Sequence, residues 1–310
     1  MIDELISLIK KLYPDENHIP LYRPAISAAD NRYILEALEE RFVASTSPIV
    51  KKFESKLADF TGAKHVIATQ SGTSALHLSL LAAGVKAGDL VITQPLSFVA
   101  TCNAIRHAGA EPLFIDIDEY RLCLNTEYLN EFFRFETHIN NDGQCIHNNS
   151  GKRIAACLPV HQYGIPGPMQ EIDQLCQDNH VPLVEDAAEA LGSFVEDGRH
   201  CGTIGLMGTL SFNGNKIITC GNGGAILTND DELAVHLRHM STQAKVAHPY
   251  EYIHDKVAYN YRLSAIEAGL GLSQLERIDD ILENKKALAG HYFNFFRDKG
   301  IRPLQQPPKL

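Results

Sequence analysis

No tryptophan occurs in the 310-residue chain, no run of basic residues interrupts it, and its formal net charge is −10. A nucleic-acid groove or a surface for anionic lipid needs clustered lysine or arginine, so neither nucleic acid nor membrane is expected as a partner. No apolar run approaches the ~20 residues that a transmembrane helix requires. The first segment, MIDELISLIKKLYPDE, spreads acids and lysines through its apolar positions and is not expected to be a signal peptide. The seven cysteines (Cys102, Cys123, Cys145, Cys157, Cys176, Cys201 and Cys220) are odd in number and lack CxxC or other metal-ligand spacing. That usage predicts reduced thiols in a cytoplasmic protein. No GxGxxG follows a strand, so the dinucleotide fingerprint is missing as well. What remains is a chain of ordinary globular composition, long enough to bury a sizeable core as one domain or as one domain with a smaller appendage.

Ile2, Leu5, Ile6, Ile9 and Leu12 fit one face of a first helix, expected to pack on its own domain. HIPLYRPAIS is extended and broken by Pro20 and Pro24, and AADNRYILEALEER reads as a helix that Asp30 or Asn31 can cap. KKFESKLADFTGAK is a further amphipathic helix stopped at Gly62, and HVIATQ a strand. From Lys64 to Gly192 strands and helices alternate, which predicts an α/β fold with a mainly parallel sheet covered on both faces. The polar stretch HINNDGQCIHNNSGKR reads as a surface excursion or hairpin, and His138, His147 and His161 have no metal-ligand arrangement. AIEAGLGLSQLERIDDILENKKALAGHYFNFFRDKG is one long helical stretch.

Four sites along this pattern carry chemistry. SGTSALHL places a small-residue turn between a strand and an apolar helix; the outward amides of such a helix start can hold a phosphate, although the same residues also make an ordinary cap. Phe98 lies in the loop at the carboxyl end of the strand DLVITQ, where open α/β sheets collect ligands. Asp186 finishes the apolar strand VPLVED, so it either caps the following AAEAL helix or meets a buried cation. Lys216 sits in the FNGNK turn between the strand runs TLSF and GAILT. A lone lysine in a turn is ordinarily a solvated surface group, but one held between buried strands is paired with an acid or made a nucleophile. An anion cradle, an aromatic plate, a strand-end acid and a lysine together are what a pyridoxal phosphate site needs.

The sequence resembles the sugar aminotransferases of the DegT/DnrJ/StrS type from about Ile19 to Arg297, through SGTSALHL, PLSFVATCNAI, VEDAAEALGS, LSFNGNKIITCGNGGAI and YNYRLSAIEAGLGLSQLE. Within that family it looks most like the branch that makes 4-amino sugars on nucleotide carriers, of the legionaminic acid or bacillosamine kind. The resemblance implies the fold-type I architecture: a large cofactor domain with a mixed, mostly parallel sheet over residues 1–275, and over 276–310 the start of a small C-terminal domain, incomplete here. It implies pyridoxal 5′-phosphate as cofactor, an amino-acid donor such as glutamate, a nucleotide-linked 4-keto sugar as substrate, and a homodimer with shared active sites.

Carried over residue by residue, the resemblance makes Lys216 the catalytic residue that bonds to the cofactor aldehyde and moves the proton. Asp186 pairs with the ring nitrogen, Gly72, Thr73 and Ser211 hold the phosphate, and Phe98 lies on the ring face. His161 stands near the cofactor, and Asn260 reaches the phosphate of the neighbouring subunit. Glu189 replaces the glutamine that many relatives carry near the ring hydroxyl. Two other outcomes are compatible with the same ancestry: a sugar dehydratase, which has histidine where Lys216 stands, or a cofactor-binding relative without turnover. The glycines of GNGG after the lysine are expected to let the returning strand pass close beside it.

Overall fold

The computed structural model describes residues 1–301. Residues 302–310, the end of the expected C-terminal domain, lie outside the described residues. In chain order the elements are α1 (Ile2–Leu12), α2 (Asn31–Glu39), α3 (Pro48–Thr61), β1 (His65–Thr69), α4 (Gly72–Ala82), β2 (Leu90–Thr93), α5 (Val99–His107), β3 (Glu111–Phe114), α6 (Thr126–Glu136), β4 (Thr137–Ile139), β5 (Cys145–His147), β6 (Ile154–Cys157), α7 (Met169–Asp178), β7 (Val184–Asp186), β8 (Met207–Ser211), β9 (Gly224–Thr228), α8 (Asp231–Ser241), β10 (Lys245–Val246), β11 (Ile253–His254), α9 (Ala265–Leu275) and α10 (Ile278–Asp298).

Strands β1-β9-β8-β7 form one ladder and β3-β2-β6 another. Parallel bridges Cys157↔Leu183 and Val160↔Asp186 join β6 to β7 and so fuse the two into one layer. β9 alone runs against its neighbours, pairing antiparallel with β1 and β8, while β7–β8, β2–β6 and β2–β3 are parallel. Side chains of the central strands alternate between two cores: Val66 and Ala68 enter one and Ile67 the other, as Leu90 and Ile92 do against Val91. Both faces are dry, which is why these strands read as continuous apolar runs rather than alternating ones. α4 lies inside the second core, buried through Ala75–Leu80, so it carries no polar stripe.

Several local expectations change. Asp30 takes the N-cap position of α2 but makes no side-chain cap bond to it; Ser27 caps the preceding turn Ala28–Asp30, and Asp30 returns its carboxylate to the Ser27 amide at 2.6 Å and binds Arg277 at 2.8 Å. That ion pair ties the start of the chain to the α9–α10 junction. The long C-terminal helix is two helices, broken at Glu276–Arg277. No regular helix forms between β7 and β8: turns closed by Ala190 N to Ala187 O and Ser193 N to Ala190 O replace the AAEAL helix and end at Gly192, left-handed at φ 85°, although the Asp186 carboxylate accepts the Ala188 amide as a cap would. HINNDGQCIH is the hairpin β4–β5. α1 buries none of its residues fully and meets the end of α10 through Lys299–Glu4.

Candidate active site

The carboxyl ends of β2, β6, β7 and β8 and the start of α4 surround a cavity of about 160 Å³. Its floor is built first by the turn before α4. Ser71 caps that helix, its Oγ accepting the Ser74 amide at 3.1 Å, which leaves the amides of Gly72 and Thr73 at the open end of the helix dipole. Gly72 must be glycine: a Cβ there would lie 2.9 Å from Cβ and 3.1 Å from Oγ of Ser211. Of the glycines of GNGG, Gly224 serves a close approach, but to this turn and not to the lysine; a Cβ on Gly223 would meet Cys220 and Leu263, and Gly221 has open space around it. A Cβ on Gly224 would stand 2.6 Å from the Gly72 nitrogen, so β9 slides against the start of α4 and fixes it beside Ser211.

Asp186 enters from the opposite wall. It is 4% exposed and accepts hydrogen bonds from Thr101 Oγ1 at 2.7 Å and from the Ala188 amide at 3.2 Å, yet no cation pairs with it among the described residues. Burial pushes its carboxyl above the usual carboxylate range, against those two donors and the more distant charge of Lys216. Such an acid is short of a positive partner. Lys216, in the loop that links β8 to β9, is held by its own amide on Asn213 O at 3.0 Å. Its Nζ donates to Glu189 Oε1 at 3.0 Å, with side-chain exposures of 13% and 32%. The other Glu189 oxygen accepts the Tyr163 amide at 2.9 Å. Phe98 is 70% exposed at the cavity mouth, so it is no core residue.

Gly72, Thr73, Phe98, Asp186, Glu189, Ser211 and Lys216 thus line one cavity although 144 positions separate the first from the last (216 − 72). His161 and Asn260 do not line it. The His161 ring is fully buried behind β7, where Nδ1 accepts the Gly167 amide at 3.2 Å and Nε2 lies 3.0 Å from Glu185 Oε2. An amide can only donate, so Nε2 carries the hydrogen and gives it to Glu185. Asn260 is exposed, and its Oδ1 accepts from Arg262 Nε at 3.0 Å and Nη2 at 2.7 Å. Thr101 lines the same cavity and stands in none of the motifs' expected roles; its signal is a hydroxyl three positions after Phe98, in the first turn of α5. Lys216 also borders a second cleft of about 610 Å³, formed with the extended segment before α2 and the start of α10.

The residues fit a pyridine-ring aldehyde that carries a phosphate. The helix start and Ser211 form an anion cradle that a Cβ at position 72 would fill, Asp186 is a buried acid with no paired cation among the described residues, and Lys216 borders the same cavity with its amine on Glu189. No three or more His, Cys, Asp or Glu side chains among the described residues are grouped to hold a metal. No helix among them is long and apolar enough to cross a membrane.

The model of the DegT/DnrJ/EryC1/StrS aminotransferase family matches residues 24–309. GDP-perosamine synthase of Escherichia coli O157:H7 is 36% identical over 292 residues, which cover 94% of this chain and 74% of that protein. Among solved structures, a DegT DnrJ EryC1 StrS aminotransferase from Brucella abortus superposes with a TM-score of 0.77 at 29% identity, covering 87% of this chain and 69% of that one. Helicobacter pylori PseC, an aminotransferase involved in the biosynthesis of pseudoaminic acid, gives a TM-score of 0.80 at 26% identity, covering 91% and 71%.

Proposed function

The chain belongs to the DegT/DnrJ/EryC1/StrS aminotransferase family, and from that premise we propose that it moves an amino group from an amino acid, glutamate being the expected donor, to the 4-keto group of a nucleotide-linked deoxy sugar, with pyridoxal 5′-phosphate as cofactor. The observation that carries this reading is the meeting of Lys216 and the cation-free Asp186 in one cavity whose floor is the open start of α4. When bound, the cofactor supplies an aldehyde that captures amines and a ring that accepts the electron pair released at the neighbouring carbon. The chain's own residues do the rest. The amides of Gly72 and Thr73 and the Ser211 hydroxyl bind the phosphate, and Phe98 covers a face of the ring at the mouth. Asp186 holds a proton on the ring nitrogen, a pairing that offsets the cost of its burial. The Lys216 amine would hold the aldehyde end of the cofactor and move a proton between the substrate carbon and the cofactor carbon next to it. The cleft of about 610 Å³ beside it is of a size to admit the sugar nucleotide. Lysine at 216 speaks against the dehydratase, which carries histidine there.

Asn260 is exposed and off its own cavity, which supports a homodimer in which it serves the partner's phosphate site. Seven free cysteines support a cytoplasmic location. Residues from 276 onward are read as the start of a smaller C-terminal domain. The test is an absorption spectrum of the purified chain with added pyridoxal phosphate. A visible band that borohydride fixes to Lys216 is expected, bleached by glutamate and restored by a 4-keto nucleotide sugar. The same spectrum from Lys216→Ala would end the proposal, and full activity from a sedimenting monomer would end the shared site.

A further inference from the structure

The chain that leaves β6 stays tied to β7 as far as the cavity: the Asp186 amide donates to Pro159 O at 2.9 Å and the His161 amide to Asp186 O at 3.0 Å. Side chains alternate along it, so Val160 and Gln162 line the cavity while the His161 ring lies off it against Glu185. Both neighbours of Gln162 are held in place. Glu185 binds the His161 ring, and the Tyr163 amide donates to Glu189 Oε2 at 2.9 Å from a left-handed backbone at φ 55°. Gln162 itself is 8% exposed, and its carboxamide makes no hydrogen bond among the described residues. The other carboxamides of the cavity wall differ: Asn213, Asn215 and Asn222 are all exposed. A buried amide with idle donors and an idle acceptor is costly until something in the cavity meets it.

Resting on the function proposed above, we infer that Gln162 is a cofactor-binding residue whose NH₂ group donates to the hydroxyl oxygen of the pyridine ring. The order of the sheet selects that oxygen. Ser211 ends β8, Asp186 ends β7 and Gln162 lies past the end of β6, on three neighbouring strands in that order. In pyridoxal phosphate the nitrogen and the aldehyde stand opposite each other across the ring; the phosphate arm leaves on one side of the line that joins them and the hydroxyl on the other. A phosphate on the Ser211 side and a nitrogen on Asp186 therefore turn the hydroxyl edge toward Gln162. Glu189 is already engaged, by Lys216 Nζ at 3.0 Å and by the Tyr163 amide. An anchor on the edge opposite the phosphate keeps the ring from tilting, and so keeps the aldehyde carbon in reach of Lys216.

Two probes test the assignment on the cofactor-free, full-length chain: pyridoxal phosphate, and its analogue without the ring hydroxyl, which keeps aldehyde, nitrogen and phosphate. Dissociation constants are measured for both by absorbance titration. Gln162→Leu is expected to weaken pyridoxal phosphate about tenfold, the loss of one buried hydrogen bond, and to change the analogue by less than about twofold. Gln162→Met keeps an unbranched stem and is expected to give the same pattern, which separates the amide's role from a packing defect of leucine. Equal losses for the two probes in both variants, or no loss for either, overturn the assignment while the parent still binds the cofactor at Lys216. A parent that binds neither probe would instead overturn the proposed function and this assignment with it.

Discussion

Glu185 and Asp186 are consecutive carboxylates at the end of β7, both buried, and the pleat of the strand sends them to opposite faces of the sheet. Glu185 enters a closed pocket where four N–H groups meet it: His161 Nε2 at 3.0 Å and the amides of Gly202, Ile204 and Gly205 at 2.8, 2.7 and 2.8 Å. Burial opposes its charge, but His161 and these amides outweigh burial and hold it below the usual carboxylate range. Asp186 enters the cavity with a hydroxyl and one amide, and burial wins. Burial alone therefore does not decide the charge of an acid; the number of aimed donors does. One carboxylate is finished by the fold and holds loops together, while its neighbour is left for a ligand to complete.

Asp186→Asn should separate the two most sharply. Turnover is expected to fall by about 10³, since the ring nitrogen loses the charge that holds its proton. The cofactor-free protein, by contrast, should unfold at higher urea than the parent near neutral pH. Asp186 binds its proton more tightly folded than unfolded, so the parent gains stability as pH falls through that raised value toward the ordinary carboxylate range, and the asparagine variant should lack this gain. Glu185→Gln is expected to do the reverse, costing about 3 kcal/mol in urea unfolding, because an amide cannot accept all the donors the carboxylate does. Glu185 binds its proton more weakly when folded. Its contribution is full above the unfolded value of about 4.3 and is lost as pH falls below it, so the acid limb of the stability profile should flatten in the variant. The smallest effect belongs to Thr101→Val, which removes one hydroxyl from Asp186: about tenfold in turnover, corresponding to about 1.4 kcal/mol, with an unfolding midpoint near that of the parent. A large loss of stability in Thr101→Val would place the hydroxyl with the structural pocket instead.

The elements that carry the site were readable because each is written locally. Ser71 before an apolar run marks a helix start, VPLVED an apolar strand ending in acids, and the two runs around FNGNK a hairpin with a lysine in its loop. AAEAL reads as a helix because alanine, glutamate and leucine favour one and Asp186 caps it; nothing local shows that Glu189 gives its carboxylate to the distant Tyr163 amide. The resemblance places His161 near the cofactor; its ring lies off the cavity, 3.0 Å from Glu185 Oε2. The pairing of Glu189 with Lys216 joins residues 27 positions apart, and the Tyr163 amide on its other oxygen comes from a third segment, with no periodicity to betray either contact.

By itself the sequence determined the alternation of strands and helices, the small-residue start of α4 and the lysine in its hairpin, since these depend on side-chain period, capping and turn chemistry within a few residues; the family came from the resemblance of its motifs to those of known relatives. Only the tertiary structure decided what each polar group faces. The squeeze of β9 against Gly72, the four donors around Glu185, the missing cation at Asp186 and the pairing of Glu189 with Lys216 are all contacts between distant segments, fixed by how the sheet packs and not by any neighbour in the chain.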